Sequence, residues 1–411
     1  MAIGNGAPAP AAVPAAAYGA LIAFAVLAAA LAMGLRQSFG LFLAPMTGAL
    51  GWSASGFALA IALQVLVNGL AQPFCGLAAD RVGARPVLMA GALLYAVGIV
   101  GMAFSESLPA FILFAGPVMG VAVSAAGMPV IVASLTRLLP ATMRGRAVGL
   151  GTAGSSFGQF LVVPAAGAAI HVLGWQGALL ALAAAALLIV PLAGPLRDAP
   201  APAAAGVVEE TAGQAMRRAL GSVSFWCLSF GFFVCGLHVS FLAVHLPGFV
   251  ATCHLPAIVG AGAISLIGLF NVAGSLAAGE LAQRWRRREL LVAIYALRGV
   301  TMAVFLLAPK TTATVLAFSA VMGVLWLSTV PPTVALVARN FGTRWLATIF
   351  GMVFLGHQVG GFTGAFLGGL VFDRTGSYDL MWSISIAASA FAALVNLPVR
   401  DEARAGARAP A

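Results

Sequence analysis

Two arginines stand where a charge is expensive. Arg36 and Arg298 each lie about nine residues inside a long apolar run, and an ionisable side chain at that depth in a membrane costs at least ~2.5–3.5 kcal/mol. A guanidinium stays protonated and offers a forked donor that fits a carboxylate. All eleven acidic residues, from Asp80 to Glu402, fall in loops or at the ends of apolar runs. The interior of the chain therefore supplies no carboxylate to neutralise the two arginines, and the missing counter-ion is expected to be the cargo itself: a small organic anion, foremost a monocarboxylate. The competing reading for each arginine is structural, either snorkelling to an interface or bonding to backbone carbonyls. The same census of acids argues against proton-coupled export of cations.

Histidine is the other side chain that could do chemistry here, because it titrates near neutral pH. His238 is the first candidate for coupling cargo to protons and His357 the second, with a hydrogen-bonded structural histidine as the alternative for each. Polar uncharged residues inside apolar runs complete the expected binding set: Gln64 and Asn68, four apart on one helix face, with Gln159, Asn271, Gln358 and the two histidines. Gln72 continues that stripe and is read as a helix–helix contact.

Other chemistries find no support. No phosphate-binding loop of the Gly-x-x-x-x-Gly-Lys-Ser/Thr type occurs, and Cys75, Cys227, Cys235 and Cys253 lack metal-ligand spacing. No metal, cofactor or enzyme activity is expected, and nucleic acid is not an expected partner despite the net charge of +10. A membrane-embedded enzyme would need a carboxylate, metal ligand or nucleophile at depth.

These residues must be positioned by membrane-spanning helices. The chain has 411 residues, of which 62% are hydrophobic and 8% charged, far from the balance of a soluble domain. Apolar runs long enough to cross a bilayer predict twelve helices near 18–45, 53–75, 86–104, 109–136, 146–171, 175–195, 224–251, 257–279, 289–308, 312–338, 345–372 and 378–398. The fold class is therefore all-α and polytopic. A disordered segment over 1–17 without a cleavable signal, a polar linker over 196–223 between two six-helix bundles (18–195 and 224–398), and a tail over 399–411 complete the expected organisation. With both termini inside, seventeen of the 21 basic residues fall in cytoplasmic segments, the bias that sets orientation. An inner membrane, cytoplasmic termini and a monomer are expected.

The halves repeat. Gly34-Leu35 and Ser38-Phe39 return as Gly236-Leu237 and Ser240-Phe241, Pro129 and Arg137 as Pro331 and Arg339, and Gly154 and Gly158 as Gly356 and Gly360, each 202 residues on. His238 thereby takes the position of Arg36, which puts the two on facing helices. Parallel six-helix repeats are a carrier architecture, with the binding site between halves near mid-membrane. The prolines are read as bends in helices 4 and 10.

A charged stretch between the second and third runs carries a further signature: Gly76, Asp80, Arg81, Gly83 and Arg85. On these residues the chain resembles the major facilitator superfamily over essentially its whole length, although Ala84 stands where that family has a basic residue. The resemblance implies a conformational latch, with Asp80 pairing across the cytoplasmic face near helix 11 and Arg81 and Arg85 holding the loop. The copy at Gly279–Arg288 has Gln283 in place of the acid. Within the superfamily the segment Arg144 to Ser155 is similar to monocarboxylate and oxalate/formate-type carriers, and Arg36 lies where those carriers keep a basic residue facing the cavity. Helix 9 is peripheral in that fold, which weighs toward a structural Arg298. Asn271 and Ser275 stand where many of those carriers have an acid and an arginine. The function implied is secondary transport of an organic anion by proton symport or anion exchange, with export of an amphipathic metabolite as the alternative.

Overall fold

The computed structural model describes residues 15–401, apart from 128–129, 132–133, 136–137, 140, 197–211 and 343–345; the side chains of 15–17, 80–81, 141–149, 152, 212 and 346–347 are outside it as well. The chain is helical where the apolar runs predict. Among the described residues ten helices are long and apolar enough to cross a membrane, and one of these, Ala153–Ala193, holds two of the expected spans, while Asp379–Val395 is a shorter apolar helix. Twelve spans result. They are α1 (Ala15–Gln37), α2 (Ala54–Val82), α3 (Ala84–Ala103), α4 (beginning at Leu108–Leu113), α5 and α6 (the run Ala141–Leu187, divided at Gly174), α7 (Val223–Thr252), α8 (Ala257–Arg284), α9 (Arg287–Leu307), α10 (beginning at Thr312–Leu325), α11 (Leu346–Thr375) and α12 (Asp379–Val395). An even number of crossings brings both ends of the described chain to one face, called here the termini face.

The places where helices stop are set by local chemistry. Gly174 turns the chain between α5 and α6 at φ 71°, and Gly83 turns it between α2 and α3 at φ 86°, backbone that glycine adopts without a Cβ penalty. Among the described residues four spans depart from a single straight helix, α6 among them, which ends at Leu187 and resumes as Ile189–Ala193. α1 gives way to a 3₁₀ turn, Phe39–Phe42, and resumes as Leu43–Leu50. α4 contains a π-turn, Phe114–Val118, around Pro117; the bend expected at Pro129 lies outside the described residues. α10 stops at Leu325 and resumes as Val330–Phe341, with Pro331 and Pro332 in the first turn of the second piece. A proline there removes N–H donors that a continuous helix would need.

α1 packs along α5 in the first half, and α7 along α11 and α8 along α10 in the second; the halves meet where α2 runs beside α11 and α5 beside α8. Small residues allow backbone-level approach, the usual solution where lipid supplies no hydrophobic drive. A Cβ on Gly158 would sit 1.9 Å from the Ala30 carbonyl oxygen, and one on its repeat partner Gly360 would sit 1.8 Å from that of Phe233. The repeat is thus a repeat of contacts. Leu93, Val97, Phe230, Leu297 and Val304 point outward and exposed, as a hydrocarbon surround requires.

Gly158→Val and Gly360→Val should each destabilise the fold by at least ~1–3 kcal/mol, the range for overpacking. Thermal unfolding in detergent checks this; a wild-type melting temperature in either variant would contradict the contact.

Candidate functional site

Half-way through the bundle, the break in α1 creates a polar layer between the halves. Ser38 donates to the Gly34 carbonyl at 2.9 Å, and the Gly40 backbone lies against the Ala243 carbonyl of α7. Gln37 follows Arg36 at the end of α1. Its amide donates to Gln159 of α5 at 3.3 Å, and the Gln159 amide donates across the halves to the Ile264 carbonyl at 2.7 Å. On the other flank, Gln358 of α11 donates to the Val65 carbonyl of α2 at 3.1 Å. Gln64 and Asn68 are buried on α2, and the Gln64 Nε2 has no hydrogen-bond partner among the described residues.

Arg36 occupies the last turn of α1 beside this layer. Its side chain is part-exposed and makes neither hydrogen bond nor ion pair among the described residues. Tyr95 of α3 closes one side, its hydroxyl donating at 3.1 Å to the Ala32 carbonyl one turn earlier.

Arg298 behaves differently. It is fully buried, and its Nε and Nη2 donate to the Leu325 carbonyl at 3.0 and 2.7 Å, with Nη2 also donating to the Trp326 carbonyl. These are carbonyls orphaned by the break in α10. The guanidinium also lies over Tyr295, 5.6 Å from the ring centroid. The sequence reading of Arg298 as a cargo ligand gives way to its structural alternative: most of its fork is committed to capping a helix end, and only Nη1 is unpartnered. Asn271 serves the same break. Its Oδ1 accepts from the Leu327 N–H at 3.0 Å and from Ser275, while its Nδ2 donates to Ser156 of α5 at 2.9 Å. An amide can do both, accepting on its oxygen and donating from its nitrogen.

The histidines separate too. His238 is not brought to Arg36. Its ring is buried inside the second half, with Nε2 at 2.9 Å from the Ser385 carbonyl of α12 and Nδ1 unpartnered. His245 lies between the Ala365 carbonyl and the Tyr378 hydroxyl. His357 stacks on Phe354 with centroids 5.3 Å apart, and its Nδ1 is 3.2 Å from Gln358 Oε1. It is therefore one bond from the layer.

Of the latch residues, Gly76, Gly83 and Arg85 are described, and Asp80 and Arg81 lie in the last turn of α2 with side chains outside the described residues. In the copy at Gly279–Arg288, Arg284 pairs with Glu280 of its own helix at 2.6 Å. A cavity of about 500 Å³ lies toward the face opposite the termini, lined by Leu41, Pro45, Ile170, Val172, Pro247 and Ile258 among others. It is apolar and holds none of the layer's side chains. Among the described residues no group of three or more metal-ligating side chains converges.

The family profile of the Major Facilitator Superfamily matches residues 22–365 and 264–409. The chain belongs to the major facilitator superfamily. As a superfamily member it is a multi-pass membrane transporter and not an enzyme. The chain is 24% identical over 388 residues to the uncharacterised transporter YcxA of Bacillus subtilis, covering 90% of this chain and 92% of that one. It is 29% identical over 391 residues to monocarboxylate transporter 11 of Mus musculus, covering 90% and 85%. The superfamily fold is shared with a D-xylose–proton symporter at TM-score 0.71 and 16% identity, over 93% of this chain and 97% of that one. A bacterial homologue of the human lysosomal transporter Spinster, in an inward-facing and unoccupied conformation, matches at TM-score 0.71 and 15% identity, over 93% of this chain and 94% of that one.

The two arginines should separate in a stability assay. Arg298→Gln should cost at least ~1.5–3 kcal/mol, the worth of hydrogen bonds to a charged donor, whereas Arg36→Gln should stay within about 0.5 kcal/mol of wild type. Thermal exposure of the buried Cys227 and Cys235 thiols to a maleimide dye measures both.

Proposed function

We propose that this transporter is a secondary carrier for a small organic anion, foremost a monocarboxylate, working by alternating access between its halves. The single observation that carries the reading is the unpaired guanidinium of Arg36 beside a mid-membrane polar layer. A fixed cation at that depth is costly, and a carboxylate entering the layer would both neutralise it and take both tines of its fork. Gln64, whose Nε2 is unsatisfied among the described residues, and Asn68 would complete the recognition. Gln159, Gln358 and Asn271 serve mainly to hold the halves in register around the site, each being already bonded. The named relative that moves monocarboxylates supports the cargo class, and it does so at low identity.

Coupling is assigned to His357 rather than His238. His357 touches Gln358, which bonds across the halves, so a change of charge there would be felt at the interface. His238 reports to α12 within one half. Proton symport or exchange of one anion for another both use this arrangement. The carrier is assigned to an inner membrane with both termini cytoplasmic, from the arginine bias, with bundles over 18–195 and 224–398 and a monomer as the working unit. The apolar cavity near the opposite face favours a second reading, export of an amphipathic metabolite.

Counterflow in proteoliposomes against labelled mono- and dicarboxylates, neutral solutes and cationic dyes tests the cargo. Carboxylate exchange is expected, and Arg36→Ala should lower it by at least about tenfold, a loss of about 1.4 kcal/mol in cargo binding; movement of dyes without carboxylates would end the anion reading. For coupling, uptake by wild type should vary between about pH 5 and 8 and His357→Gln should flatten it. Uptake flat in wild type would instead assign exchange.

A further inference from the structure

The signature stretch at the end of α2 has a second copy that the 202-residue repeat does not explain. Gly76-Leu77-Ala78-Ala79-Asp80-Arg81-Val82-Gly83 is matched by Gly369-Leu370-Val371-Phe372-Asp373-Arg374-Thr375-Gly376 at the end of α11, with Gly, Leu, Asp, Arg and Gly in the same places. Each copy ends its helix with a left-handed glycine, Gly83 at φ 86° and Gly376 at φ 67°. Unlike the copy at Gly279–Arg288, this one keeps its acid.

α2 and α11 are antiparallel neighbours from opposite halves. Asp373 lies level with Ala54, Gly361 with Val65, and Gln358 with Gly69. The register continued to the termini face puts Asp80 level with Ala347, in the first turn of α11. At the opposite face the carboxylate is engaged: Asp373 Oδ1 accepts the Ala54 N–H at 3.0 Å and Oδ2 accepts the Ser55 N–H at 2.8 Å. Ser53 caps the Gly56 N–H at 3.0 Å, so the first-turn donors of α2 are shared between its own cap and an acid of the other half. Gly369 makes the reach possible, since a Cβ there would sit 2.8 Å from the Ala54 carbonyl oxygen. Toward the termini face the two helices lose close neighbours. A Cβ on Gly76 or Gly351 would meet nothing within 4 Å.

We infer that Asp373 is a second latch, the counterpart of Asp80 at the other end of the same helix pair. A carboxylate at a helix N-terminus is stabilised by the unpaired N–H groups and by the helix dipole, and here it finds those groups only while the halves are closed at the face opposite the termini. By the register Asp80 takes the mirrored position on α2, one turn from the N-terminus of α11, and is assigned the matching role when the termini face closes. Rocking of the halves about the middle of α2 and α11 exchanges one capped helix for the other. The two closed states then differ little in free energy, as a two-way carrier requires. This device rests on the alternating-access reading above and not on the identity of the cargo.

Distances between spin labels at Ser107→Cys and Thr312→Cys, exposed positions at the opposite face of either half, test it in nanodiscs. Cys75 and Cys253 are replaced by Ser. The unlabelled-site background should populate mainly the short distance. Asp373→Ala should raise the share of the long distance about fivefold, the scale of a lost helix cap. Ser55→Pro, which deletes one donor where proline is tolerated, should move it the same way by less. Arg374→Gln should leave it unchanged, and Asp80→Asn should lower it. A distribution unaltered by Asp373→Ala overturns the latch, whether or not the wild type shifts when a saturating monocarboxylate is added. A wild type that never shifts would instead count against alternating access with that cargo, so the two failures are distinguishable.

Discussion

A helix that breaks inside a membrane leaves carbonyl and N–H groups with no water to take them, and this protein is built around meeting that constraint. α10 breaks after Leu325, and two side chains from other helices repair it. Arg298 takes the carbonyls of Leu325 and Trp326, and Asn271 takes the Leu327 N–H. Asn271 in turn reaches Ser156 of the first half, so the repair also ties the halves together. α1 breaks after Gln37, and there the Ser38 hydroxyl and the 3₁₀ turn take up the backbone groups themselves. Arg36 is not needed for the repair and has no hydrogen bond or ion pair among the described residues. The same physics thus produces one arginine that is structure and another that is free to act.

The interface between the halves is arranged for movement. It is carried by glycine-sized contacts and by side chain-to-backbone hydrogen bonds such as Gln358 to Val65 and Gln159 to Ile264, with apolar packing across it at Val163, Val244 and Ala365. Each half has an apolar core, one around Phe57, Phe111 and Tyr95 and others around Trp382, Phe305 and Phe232, and the cores touch through Val244 and Ala365 on one side and Val163 on the other. Small residues and backbone-directed hydrogen bonds at the interface suit rigid-body rocking of the halves.

Much of this was legible in the residues. Run lengths and the arginine pattern predict twelve spans, because hydrocarbon thickness leaves few alternatives for an apolar segment. The glycine repeat 202 residues apart predicts equivalent contacts, and Gly158 and Gly360 make them. Gly83 was expected at a turn and stands at positive φ. The candidate site was legible only as a set. Composition identifies Arg36, Arg298, His238 and His357 as costly residues at depth, and cannot say which face of its helix each one uses. A repeat position puts His238 opposite Arg36, but a rotation of one residue about a helix axis turns a side chain by about 100°, enough to move it from the interface to α12.

By itself the sequence determined that this is a paired six-helix membrane carrier, and that its interior holds cations without acids. Both follow from one-dimensional quantities: the length of apolar runs, the period of a repeat and the placement of charge. Tertiary structure alone decided which arginine is spent on a broken helix and which is left unpaired, which histidine touches the interface, and that Asp373 reaches α2. Those outcomes depend on which backbone groups are orphaned at a break and which helix lies alongside, and neither is written in any local stretch of residues.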